Sequence, residues 1–187
     1  MVKTLRTITG VMALVTLVAL PAETRAADRN EAQIALEREA TDLIERTEEV
    51  GREVQYHVDR LTKLAGHPDV SRETHFQHLE RIKFLMNTDM RPLLVRLVDV
   101  QKQLPTWKRE NVSRMVGAAQ QLTMDANSAF FRKVESRQIP AAINEAYRQF
   151  IAEMSTHAED LVATADFVHQ YASLRAKASE AGRPVSE

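Results

Sequence analysis

The segment HFQHLERIKFLMNTDM, residues 75–90, gathers His75, His78, Met86 and Met90 into sixteen residues of helical character. Imidazole nitrogen and thioether sulfur are the donors that zinc, copper and haem iron accept, so this is where chemistry would be sought first. Two groupings follow from helical spacing. His57 and His78 each stand about ten residues from a shared break at Gly66-His67-Pro68, roughly 16 Å down a pair of antiparallel helices, where they would face each other as a metal pair. Asp125, Asn127, Glu145 and Tyr147 are their expected neighbours at that level. His157, near the middle of the last helix and by pattern the most buried histidine, falls level with Met86, Met115 and Met154, a set suited to haem or copper(I). His75 is expected a turn nearer the solvent, and His169 on the surface.

The same residues also suit a plain helical core, in which methionine fills gaps and a single polar residue fixes register. A zinc or copper site wants three or four ligands at one level, and no spacing signature binds these residues together. We therefore expect no cofactor, with His157, Met86 and Met154 as cofactor-binding candidates and His57 with His78 as metal candidates. Cysteine is absent, which removes thiolate ligands and Cys-x-x-Cys-His haem attachment. No histidine has a glutamate three residues before it, as helical di-iron sites require. There is no Gly-x-Ser-x-Gly, phosphate-binding glycine loop or His-Glu-x-x-His, and pairs such as Glu48-Glu49 and Glu159-Asp160 lie on polar faces where nothing would shift their titration. Catalytic residues: none are expected, and the chain reads as non-enzymatic.

The elements that would position these residues are helices. Aromatic residues make up 5% and glycine numbers five, while Ala, Leu, Glu, Arg and Gln, which lose little freedom in a helix, are plentiful. Apolar residues recur in alternating steps of four and three. The first stripe runs Leu36, Ala40, Leu43, Thr47, Val50, Val54, His57, Leu61 and Leu64; the second runs His75, Leu79, Ile82, Met86, Met90, Leu93, Leu97, Val100 and Leu104. The third is Val112, Met115, Ala119, Leu122, Ala126, Phe130 and Val134; the fourth is Ile143, Tyr147, Phe150, Met154, His157, Leu161, Thr164, Val168 and Tyr171. Such stripes are buried only against each other, which predicts an all-α, antiparallel up-down-up-down four-helix bundle over residues 27–181. Its helices are expected near 29–65, 71–103, 106–135 and 139–180, followed by a flexible tail at 182–187. Asp69 or Ser71 is the expected cap of the second helix. Pro92 should kink that helix near Thr88-Asp89, because its ring clashes with a carbonyl one turn back. Gly51 and Gly117 each cost up to ~1 kcal/mol unless a close helix crossing uses them.

Ahead of the bundle, Lys3 and Arg6 precede an apolar run from Ile8 to Leu20, then Pro21 and Thr24-Arg25-Ala26. This is the pattern of an export signal over residues 1–26, cleaved after Ala26, and the run is too short for the ~20 residues of a membrane span. The protein is expected to be periplasmic or secreted. The formal net charge of −1 gives no electrostatic claim on nucleic acid. What remains is a bundle acting through its surface as an adaptor, chaperone-like or envelope-associated module, with a protein partner or self-association. Trp107, Phe76, Phe84 and Phe131 would serve it where exposed, though at least two of the four are expected to close the core.

Overall fold

A computed structural model of the chain describes residues 22–67, 69–135 and 145–180. Among them every regular element is helical. In chain order these are α1 (Ala22–Ala65), α2 (Arg72–Phe84), a π-turn (Leu85–Met90), α3 (Arg91–Gln101), α4 (Thr106–Glu135) and α5 (Glu145–Glu180). With α2, the π-turn and α3 taken as one rod, four helices pack together. The chain divides between Gln33 and Ile34, and the packed helices belong to the second unit. The apolar run at 8–20, Pro68, the turn at 136–140, Ile143 and the tail at 182–187 lie outside the described residues. Helix α1 begins before the expected residue 29 and runs through the expected cleavage point. Of the last expected helix, only residues from 145 onward fall within the description.

Ser71 is the cap of α2, its Oγ accepting the Thr74 amide at 3.2 Å. The second stripe is buried along its whole length, from His75 to Leu104. Its one irregularity is the pair of four-residue steps Ile82–Met86–Met90, and there the helix widens into the π-turn. A wider turn takes up the extra residue, and it also answers the missing donor of Pro92. Arg91 bonds five residues back to Met86, and the Asn87 side chain donates to the Lys83 carbonyl at 2.8 Å. The disturbance expected at Thr88-Asp89 is thus a π-turn inside a continuous rod.

The other stripes drift from expectation. In α5 the buried positions are Tyr147, Ile151, Met154, Ala158, Leu161, Val162, Ala165 and Val168. Ile151, Ala158 and Ala165 take the inward places expected for Phe150, His157 and Thr164, which sit half-buried on the flank. Two registers of threes and fours were open to this helix, and the smaller side chains won. An alanine carries no polar group to desolvate and lets a neighbouring backbone come close. In α1 likewise, Val58 and Ala65 are inward where His57 and Leu64 were expected. Fully buried side chains such as Leu122, Leu161 and Ile82 each contribute roughly 1.5–3 kcal/mol by leaving water.

Contacts between helices run in reversed order. His57 meets His78, Glu53 meets Arg81 and Glu39 meets Arg96; Asp125 meets His157 while Trp107 meets Tyr171. The two interior glycines have different surroundings. A methyl built on Gly51 would lie 3.2 Å from Leu161 Cδ2 and 3.3 Å from Val162 Cγ2, whereas one on Gly117 meets nothing within 4 Å. Gly117→Ala should therefore raise stability by up to ~1 kcal/mol, while Gly51→Ala should bring no gain or a loss. Urea midpoints of the two variants test this, and a gain at Gly51 matching that at Gly117 would show that α1 and α5 are not in close contact there.

Candidate functional site

Each of five histidines sits against a specific neighbour. His57 and His78, on facing flanks of α1 and α2, bring their Nδ1 atoms to 2.9 Å, with ring centroids 5.2 Å apart and planes tilted by 53°. One ring must donate and the other accept, so the accepting ring is neutral in this arrangement. Partial burial lowers the pKa of both; the other ring and Arg81 add to this for His57, against an opposing effect of Glu53, and Arg60 adds to it for His78. Of the neighbours expected here, Asp125 and Tyr147 pair elsewhere, and Glu145 is bound by Arg148.

His157 is not the most buried histidine. Its side chain is 28% exposed, and its Nδ1–H donates to Asp125 Oδ2 at 2.7 Å. Met86 and Met154 lie in the closed core, Met154 with no exposure at all. The buried histidine is His75, 1% exposed, whose Nδ1 shares a hydrogen bond with the Tyr147 hydroxyl at 3.0 Å. Burial holds that phenol well above its ordinary pKa, so it remains a hydroxyl. His75 was expected nearer the solvent because it stands a turn above the His57–His78 level; the inward Tyr147 on α5 covers it. His169 is half-buried rather than superficial. Its Nδ1 lies 3.1 Å from Glu48, and its Nε2 is buried with no hydrogen-bond partner among the described residues.

Lys108 is a second polar residue whose burial was not foreseen. It is 5% exposed, and its Nζ donates to Thr41 Oγ1 at 2.8 Å and to the Glu37 carbonyl at 3.3 Å. Desolvation lowers its pKa against the pull of Glu37. Among the described residues no three of His, Asp and Glu converge as a ready metal site.

The most developed surface feature lies between the start of α4 and the end of α5. Trp107 stands against Tyr171, centroids 4.6 Å apart, and Phe167 stacks on Tyr171 at 5.9 Å and 17°. Arg175 lies over both rings, 5.8 Å from Trp107 and 5.9 Å from Tyr171. Two adjoining concavities of about 520 and 350 Å³ share Trp107, Glu110 and Tyr171; one extends to Arg175 and the other to Arg114 and Phe167. Phe167 is 51% exposed. Of the four aromatics marked in the sequence, Phe84 and Phe131 are about half or more exposed, while Phe76 packs on Phe130 and Trp107 on Tyr171. Phe167 was missed because it sits off the apolar stripe. The spacing Phe167–Tyr171, one helical turn, is the signal that would have found it.

Comparison with known proteins finds no match: no family model, no curated protein and no solved structure.

The His57–His78 pair gives stability a pH dependence of definite sign. Both folded pKa values lie below the unfolded value of 6.5, so the unfolded chain binds protons first, and this contribution is lost as pH falls below 6.5. Glu53, Arg60, Arg81 and Tyr56 are the other ionisable groups beside the rings. The drop in urea midpoint from pH 7 to pH 5 should be smaller in His57→Gln/His78→Gln than in the parent. Equal drops would mean that the rings titrate as free histidines.

Proposed function

We propose that this is an exported, non-enzymatic helical bundle that works by binding a protein partner at the Trp107–Tyr171–Phe167 groove. The observation that carries the reading is the clustering of tryptophan, tyrosine, phenylalanine and arginine around adjoining concavities. These residue types dominate binding energy at protein interfaces, because rigid rings bury much area at small entropic cost. Two arginines against one glutamate at the rim favour a partner segment that offers an apolar side chain beside a carboxylate.

The reversed order of the inter-helix contacts supports an up-down-up-down arrangement, which sets α4 and α5 side by side and forms the groove between them. Export rests on the basic start, the apolar run and the Thr24-Arg25-Ala26 site. No helix among the described residues is long and apolar enough to cross a membrane. An adaptor, chaperone-like or envelope-associated role fits both. A non-enzymatic role is supported by the pairing of histidines with carboxylates, a phenol or each other.

Trp107 is the single tryptophan, so its emission reports on the groove alone. Proteins captured from the cell envelope by the parent chain should be lost with Phe167→Asp, and adding the captured partner should shift the Trp107 emission. An unchanged captured set, with no shift, would rule out the groove as the binding surface. Protein recovered from the envelope should begin at Ala27 by N-terminal sequencing; a product that retains Met1 would defeat the export reading.

A further inference from the structure

We propose that His57 and His78 form a two-imidazole clip for a divalent transition ion of the zinc, nickel or copper class, with Glu53 recruited as a third ligand. This goes beyond the groove reading and is independent of it, since the clip lies between α1 and α2 and the groove between α4 and α5.

The geometry is close to what such an ion requires. At metal–nitrogen distances of about 2.0–2.1 Å, two ligands of a tetrahedral ion stand roughly 3.3 Å apart. The facing Nδ1 atoms are at 2.9 Å, so the rings need to part by about 0.4 Å, and to turn until both lone pairs converge on one point, for an ion to enter. The ligands come from two helices and are 21 residues apart, which is how a bound ion ties elements together. Both rings favour the neutral, ligand-competent form. At present one Nδ1 carries the shared proton. Metal entry moves that proton to Nε2 of the same ring, so both Nδ1 lone pairs face the ion and no net proton is released.

Glu53 lies one turn before His57 on the same face of α1 and acts electrostatically on that ring. Arg81 holds it, with Nε at 3.1 Å and Nη2 at 2.5 Å, both on Oε1. Oε2 receives neither bond. Arg81 is also one of the charges that disfavour a second positive charge at His57. The residue that latches the third ligand therefore competes with the ion. That gives the proposal a consequence opposite in sign to a purely structural role: removing Arg81 should strengthen metal binding even as it loosens the α1–α2 contact. Water would complete the coordination.

The test is calorimetric titration of the full, untagged chain with zinc chloride and, separately, nickel chloride at neutral pH, read beside the thermal midpoint and circular dichroism. One ion should bind per chain and raise the midpoint. His57→Gln and His78→Gln should each weaken binding by at least about tenfold, Glu53→Gln should weaken it less, and His67→Gln should leave it unchanged. Arg81→Gln should bind more tightly than the parent. Absence of binding by the folded parent, or binding unaffected by His57→Gln and His78→Gln, overturns the clip. Arg81→Gln binding no tighter than the parent overturns the part assigned to Glu53 and Arg81.

Discussion

Close approach of α1 and α5 at Gly51 is the constraint on which much of the remaining structure depends. A methyl on Gly51 would lie 3.2 Å from Leu161 Cδ2 and 3.3 Å from Val162 Cγ2, so the bare glycine is what leaves room for these two side chains of α5. Helix α5 is rotated so that Ala158, Leu161 and Ala165 face inward. That rotation carries His157 to the flank, where it reaches Asp125 on α4. Tyr147, inward in either register, lies over His75. The positions of the ionisable groups follow from the packing of residues that have no chemistry of their own.

Polar groups that enter the core do so with partners. The Thr47 hydroxyl bonds back to the Leu43 carbonyl, Lys108 reaches Thr41, and His75 meets Tyr147. The two pairs that join different helices, Lys108–Thr41 and His75–Tyr147, meet the cost of desolvation only in one register, because a slide by a residue would separate the pair and leave both members unsatisfied. Apolar seams of threes and fours tolerate such slides, whereas these pairs do not. They select one packing among several that are nearly equivalent in buried area.

The α2–α3 rod was legible residue by residue because its stripe holds bulky apolar side chains with no competing face. Even the π-turn has a mark in the sequence, the doubled four-residue step through Ile82, Met86 and Met90, just before Pro92. In α5 two faces compete, one through Phe150, His157 and Thr164, the other through Ile151, Ala158 and Ala165. Choosing the larger residues at each step turned the helix too far and placed His157 in a core that it only borders. The juxtaposition of His57 and His78 was legible from their equal distance to a shared turn, since helical rise is constant. Asp125, Lys108 and the groove aromatics were not, since their surroundings depend on side chains from other helices.

Local periodicity and composition suffice to specify that this chain forms long amphipathic helices broken near Gly66 and Pro105, because each residue's helical preference and its side of the helix depend on near neighbours. Which of two adjacent faces turns inward, and so which histidine is buried and which carboxylate it meets, was decided only on assembly. The free energy separating those choices comes from contacts between helices, such as those of Leu161 and Val162 with Gly51 and of Tyr147 with His75.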